Sequence, residues 1–569
     1  FNDSVTIKDY GAHDGTNIKV KLQTASKKAR DLRLSLNINS DLNLTESINI
    51  YSDIVSTNRA KVYNAANINF ALADNAIKRI SGIEFTGNLA SDVKHGNAPV
   101  ALQVISTLSN LENFTIDNCT FKNCRVKLDN QQADSLYKNI KFVNNIVDVD
   151  FSTLPIGSTQ NDFIAIHGSE FILFSKNKIT SKGVNRIGKL QAVANNTDLN
   201  TSKVIISDNE INSIGTTSGL GQSRQLFDFF NLTRDIIIKN NFVKAVNHTS
   251  FFEDKSLENL VFDKTYVIEG NVFENDVDVI SIRSNAGREG KLPEETGKTF
   301  VKIVDNTFIK SGNNTKEQGF VEVSFVDDLL VKGNSFVNKG TATSGLGVYG
   351  LYMRNNINSN ISENYAFNFT FYCVLVSSYT DVNYNRNAEN LSFKDNYFKS
   401  DAVTLNHISI TKSGTHSLIF NVINILNNYG SYPGNTNYRF IRIANSAVNL
   451  VRIINNTSDY TIGYTNTGNT ITKSIIHSNS WTTQDSVFFP LATTTRYGSV
   501  KQSAAIADVG TADAAAVGTN STATDVAGVV ADLNDLISKF NAAVDLVNET
   551  KSQLNAAFAA DRTSGQQAT

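Results

Sequence analysis

Apolar and polar residues alternate in short bursts along most of the chain, and many bursts end in the same way. Residues 204–211 read VIISDNEI, 236–243 read IIIKNNFV, 301–310 read VKIVDNTFIK, 391–398 read LSFKDNYF and 451–457 read VRIINNT. The shared pattern is apolar, x, apolar, x, x, Asn, x, apolar. Two apolar residues in alternation predict a short strand with one buried face. The Asn that follows predicts a bend, because Asn tolerates the left-handed conformation and bonds its own neighbouring backbone.

The anchoring asparagines are Asn88, Asn118, Asn145, Asn177, Asn209, Asn241 and Asn271, then Asn306, Asn334, Asn364, Asn396, Asn428, Asn456 and, weakly, Asn479. They recur about every 30 residues, which marks a stacked repeat and not a string of globular domains. Helical solenoids of that period need apolar spacing of about 3.6, and positions 80–480 show almost none. The reading is an all-β chain: a parallel β-helix of about fourteen coils, one coil per repeat. At one point of each coil the Asn side chains are expected to stack as a hydrogen-bonded ladder.

The ends of a solenoid need covering. Ile18, Val20, Leu22, Ala25, Ala29 and Leu32 follow a helical period behind Asn17 as the expected cap, so residues 1–50 are read as an N-terminal cap with a helix. Residues 51–488 are the β-helix, and 489–523 are a connecting region rich in small residues. Residues 524–569 hold a C-terminal helix and tail. There Val526, Val529, Leu533, Leu536, Phe540, Ala543, Val547, Thr550, Leu554 and Ala557 alternate at steps of three and four. That is a coiled-coil seam on the order of 50 Å long, at 1.5 Å per residue.

Two segments carry a family resemblance. IKDYGAHDGTN (7–17), followed by a helix and then LRLSLNI and LNLTESINI, resembles the opening of the pectate-lyase-like superfamily of right-handed β-helices. Tyr10 stands for the usual aromatic, and Gly11, Ala12, Asp14 and Gly15 keep the pattern, but the acidic residues that normally follow are missing. ATTTRYGSVKQSAAIADV (492–509) resembles the region near the ends of bacteriophage tail fibres and tailspikes. Together they resemble the phage tailspike capsule depolymerases of that superfamily. The resemblance implies a homotrimer on the phage tail or baseplate, attached through a head upstream of Phe1, that binds and cleaves bacterial capsule or another surface polysaccharide outside the cell.

Bulk properties narrow the field. The chain has 569 residues, 41% hydrophobic, enough for a large core. A net charge of −2 gives no reason to expect nucleic acid or an anionic membrane as partner. No apolar run approaches the ~20 residues of a membrane span. Three cysteines, Cys119, Cys124 and Cys373, make no disulfide framework and no zinc spacing, and are read as buried small side chains. HExxH, GxSxG, GxxxxGK and a DxDxDG loop are all absent, so no metal or cofactor is expected. Asp276 and Asp278 are the nearest approach to a calcium pair, and solvation explains them equally well.

Chemistry is therefore sought on an outer sheet face, where successive coils stand about 4.8 Å apart. Aligning the strands ahead of each anchor gives one outward column: His167, Gln191, Asp228, Glu253, Arg283, Glu322, Tyr352 with Arg354, Ser377 and His407. Its centre, Asp228 to Arg354, is dense in ionisable groups and is the candidate catalytic set. His167, Gln191, Phe230, Tyr349 and His407 are candidate sugar contacts, with Phe229 as a further aromatic that alternates like a core residue.

Two reactions fit. Asp228 and Glu253, one coil apart at roughly 5 Å, suit a retaining glycosidase, while Glu253 and Glu322, two coils apart at roughly 10 Å, lie at the edge of the inverting range. Elimination next to a uronic acid needs a cation (Arg283 or Arg354) and a base or acid (Tyr352 or a histidine). A non-catalytic sugar-binding fibre uses the same groove. A bacterial adhesin is expected to end in a membrane-anchoring barrel of aromatic-ended strands, a pattern that residues 490–569 lack.

Overall fold

The computed structural model describes residues 4–11, 18–64, 68–89, 98–104, 111–129, 137–154, 162–191, 201–215, 225–229, 233–248, 250–255, 263–275, 280–283, 297–311, 318–339, 348–369, 372–377, 388–400, 406–412, 418–431, 439–460, 462–481, 537–545, 548–549 and 552. Three long parallel sheets of 17, 15 and 15 strands run the length of residues 4–480; the first strand, Ser4–Thr6, pairs with the next one, Ser35–Asn37, and from there strands pair with the strand three places further along the chain. This is the architecture of a right-handed parallel β-helix. Two units divide the chain, Phe1–Phe488 and Phe489–Thr569.

Each coil visits the first sheet, bends, continues in the second, and crosses to the third. The bend explains the sequence repeat, with one correction. The left-handed residue is the one before the anchor: Asn144, Lys176, Asp208, Asn240, Asp305, Glu363, Asp395 and Asn427 all have φ between 53° and 57°. The anchoring Asn that follows turns inward. In each rung its Nδ2 donates to the Oδ1 of the next Asn, as Asn177 to Asn209 at 2.9 Å, and its backbone N–H donates to the same oxygen at 3.0 Å. Nδ2 also reaches a backbone carbonyl, Phe142 in this case, at 3.0 Å.

The ladder runs from Asn145 to Asn479. Asn88 and Asn118, counted as anchors from sequence, are not rungs. Cys119 takes the rung position beside Asn145, its backbone N–H donating to the Asn145 Oδ1 at 2.9 Å, and Asn118 is the left-handed residue before it. Coils also begin earlier than the first counted anchor, with strands at Ser35–Asn37, Leu42–Asn43 and Ile48–Ile50.

Inside the coils, apolar positions stack on their own copies. Phe273, Phe308 and Phe336 are parallel neighbours with centroids 5.4 and 5.1 Å apart. At the amino-terminal end a helix, Ile18–Leu32, buries Leu22, Ala25 and Ala29. Its Ser26 Oγ accepts from the backbone N–H groups of Tyr51 and Ser52 at 2.8 and 3.1 Å, satisfying donors of the first coil. Val20 and Leu32, read as part of the apolar stripe, are exposed. In the second unit residues 537–545 are helical, and the seam residue Phe540 is exposed in the single chain.

Candidate functional site on the third sheet

The third sheet does not alternate strictly. In its carboxyl-terminal half each strand places two consecutive residues in the core: Phe320 with Val321, His407 with Ile408, and Phe440 with Ile441. Neighbouring strands stay in register across these positions, so the alternation fails at the same place in each of them. Separately, backbone register divides the single outward column expected from sequence into two columns on the same face. Backbone register aligns Glu253 with Ser281, Glu322 and Tyr352. Arg283, Ser324, Arg354 and Ser377 form a second column two residues further along the strands. His167 and Gln191 pair with each other several coils away.

His407 leaves the outer face altogether. It is fully buried, with Nδ1 3.2 Å from the Cys373 Sγ and Nε2 3.3 Å from the Ser431 carbonyl oxygen. Its ring meets Phe440 and Tyr460 edge-on. Burial holds its pKa down at about 4, so it is a neutral core residue at ordinary pH and not a sugar contact.

Backbone register puts Asp228 one coil before Glu253, as the sequence spacing has it, but Asp228 is buried and ion-paired. It stands three coils before Glu322, roughly 14 Å at the strand spacing. It is 5% exposed, and its Oδ2 lies 3.2 Å from Arg186 Nη2. Arg186 Nη1 donates to both carboxylate oxygens of Asp162, at 3.3 and 3.1 Å. Burial pushes the Asp162 carboxyl up, although Arg186 pulls it down. This Asp–Arg–Asp group had no signal in the sequence, since Arg186 lies outside the aligned anchor strands.

The structure does bring Glu322, Tyr352 and Arg354 together. Arg354 Nη2 donates to Glu322 Oε2 at 3.3 Å. The guanidinium carbon lies 4.1 Å from the centre of the Tyr352 ring, a cation–π contact. The Tyr352 hydroxyl accepts from Ser377 Oγ at 3.1 Å. Tyr349 stacks on Tyr372 at 5.7 Å and leans on Tyr352 at 5.4 Å. With Leu375 they make a small apolar cluster separate from the core.

Glu322 is 9% exposed and Tyr352 and Arg354 are half-buried, so charge interactions here are stronger than on an open sheet. Chemically, the group offers a cation for an acidic sugar, a phenol for proton transfer, a carboxylate, and aromatic surface. For Glu253 and Arg283 the backbone is described and puts them two coils and one coil, respectively, before Glu322. Phe230, Asp276 and Asp278 lie outside the described residues, whereas Phe229 packs in the core, 5.4 Å from Phe252. Among the described residues no three His, Cys, Asp or Glu side chains gather as a metal site.

No protein-family profile matches the chain, and no curated protein matches it. Solved structures do. PfbA, a surface adhesin of Streptococcus pneumoniae, is similar at 16% identity and a TM-score of 0.37, over 64% of this chain and 90% of that one. The tailspike of E. coli bacteriophage HK620, in complex with a pentasaccharide, is similar at 11% identity and a TM-score of 0.25, over 84% of this chain and 66% of that one. Tailspike protein 3 of bacteriophage CBA120 is similar at 12% identity and a TM-score of 0.26, over 85% of this chain and 62% of that one. This chain and the structures it resembles share the parallel β-helix fold.

Proposed function

We propose that the chain is a phage tailspike that binds and depolymerises a bacterial surface polysaccharide, cutting beside a uronic acid by β-elimination. The observation that carries this reading is the Arg354–Tyr352 pair. A cation and a phenol lie in contact on one outer face, with Glu322 at hand and an aromatic wall beside them. Arg354 pairs with the uronate carboxylate and stabilises the negative charge that develops when the adjacent carbon loses its proton. Tyr352 takes that proton or returns one to the departing oxygen. The electron pair of the C–H bond becomes the new C=C bond as the glycosidic C–O bond breaks. In the free protein Glu322 holds Arg354, and a substrate carboxylate competes for the same guanidinium.

The tailspike part of the reading is supported by the segments at 7–17 and 492–509 and by the seam at 524–558, which is taken to join three chains. We place the protein on the virion, acting outside the bacterial cell, with the phage tail as its other partner. A Glu253–Glu322 hydrolase is the alternative on the same face, and a non-catalytic receptor fibre is the alternative in another class.

The test is to incubate the purified protein with capsule from a susceptible host and follow ultraviolet absorbance and reducing ends together. Both rising supports elimination. Reducing ends alone move the assignment to Glu253 and Glu322. Retained binding with neither signal leaves a receptor fibre.

A further inference from the structure

We propose that the first sheet carries a second, non-catalytic glycan-binding cleft, on a different face of the same coils. This rests on the reading of the protein as glycan-binding, and extends it by assigning a new site. An open cleft of about 600 Å³ lies on the outer face of five successive first-sheet strands, from Lys264–Glu269 to Ala388–Lys394. Its volume is within the range of small-molecule sites. At the strand spacing its floor is about 19 Å long.

Thr265, Phe300, Asp328, Asn358 and Asn390 pair in sequence along one row. The polar end of this row is held in place by its own hydrogen bonds. Asn358 Nδ2 donates to Asp328 Oδ1 at 3.0 Å, and Asn390 Nδ2 donates to Asn358 Oδ1 at 3.1 Å. Beside it runs a second row with Lys302, Leu330, Asn360 and Ser392. Asn360 and Ser392 make no side-chain hydrogen bond among the described residues, so their donors and acceptors remain open to a ligand.

The chemistry of this face selects its occupant. Amides and hydroxyls repeating at each coil match a ligand that repeats hydroxyl groups, and Phe300 and Leu330 supply an apolar floor for ring C–H groups. The single carboxylate, Asp328, is already bonded to Asn358, and the rim lysine, Lys302, is paired with Glu269 at 3.5 Å. The lining thus has no spare cation for an acidic sugar and no second carboxylate for hydrolysis. It suits a neutral stretch of polysaccharide, held while another segment is cut at the third sheet.

The experiment uses the whole protein on an array of purified bacterial surface polysaccharides, both neutral and acidic. Wild type is compared with the Asn358→Leu/Asn390→Leu double variant and with Arg354→Ala, each checked for folding by circular dichroism. The expected result is roughly tenfold weaker retention of a neutral glycan by the double variant, with cleavage of short acidic oligosaccharides unchanged. Retention equal to wild type overturns the proposal, and so does a change in oligomeric mass by light scattering, which would make the face a contact between copies. If Arg354→Ala alone loses binding, the cleft falls and the third-sheet reading stands. If wild type binds nothing on the array, both fall.

Discussion

Tyr352 and Arg354 stand two residues apart on one strand, and the guanidinium carbon of Arg354 sits over the phenol, 4.1 Å from the ring centre. Neither group is isolated: Glu322 holds the arginine and Ser377 holds the hydroxyl. Removing either partner therefore changes the charge or the proton inventory at a fixed point.

Replacing Tyr352 by Phe removes the proton carrier and keeps the ring. Under elimination, kcat should fall by roughly 10²–10⁴-fold with KM little changed. Under hydrolysis the same variant should stay active, and Glu322→Gln should be the inactive one. Steady-state kinetics on the two variants side by side separates the reactions.

A ladder rung is a larger structural commitment than a surface amide. Asn271 accepts from the backbone N–H and Nδ2 of Asn241 and donates to Asn306 Oδ1, each within 2.9 Å, all buried. Asn271→Ala leaves several buried groups unpaired and should cost about 3–5 kcal/mol. Asn449→Ala breaks an exposed amide pair with Asn421 and should cost less than about 0.5 kcal/mol. Denaturant unfolding of both variants checks the contrast.

The pH dependence of stability follows from His407. Its folded pKa, about 4, is below its ordinary 6.5 because it is buried. The unfolded chain therefore binds the proton first as pH falls. Stability from this group is complete above about pH 6.5 and is lost as pH falls toward 4, by about 3 kcal/mol. A His407→Leu variant should show a flatter dependence between those limits in denaturant midpoints measured from pH 7 to pH 4. An unchanged slope would rule out the histidine as its source.

The three cysteines are buried, and burial pushes their thiols up, Cys119 to about 12. Thiolate is the reactive form, so a thiol reagent at pH 8 should label none of them in the folded protein and all three in guanidinium. Rapid labelling of the native protein would contradict the packing.

Periodicity made the coils legible from the chain because each must repeat the same inward residues at the same bend. The bend residue itself was displaced by one: the left-handed φ falls on whichever residue precedes the rung, and Lys176 or Glu363 carries it as well as Asn144. The anchors of the two coils before Asn145 were misplaced because Ile83 and Cys119 stand where Asn stands later. The site was less legible for a different reason. Counting alternate positions assumes strict alternation, and the consecutive buried pairs Phe320–Val321 and His407–Ile408 break it. Hence His407 counted as outward although it is fully buried, as is Ser409, which pairs with Leu375. Glu322, Tyr352 and Arg354 survived because all three lie beyond that break, where alternation holds.

The way the coils follow one another has a kinetic meaning as well. Every rung joins residues 23 to 35 apart in sequence, from the first Asn pair to the last. Each new coil therefore closes a loop of about the same length on the one before it, at about the same entropic cost. Growth can start at any well-packed coil and advance in both directions, but it cannot skip a coil, because a coil's edge is completed only by its immediate neighbours. A single badly formed coil should stall everything beyond it, so folding mutants of this protein should accumulate as partly wound rods with an exposed sheet edge, the species most prone to stick to one another.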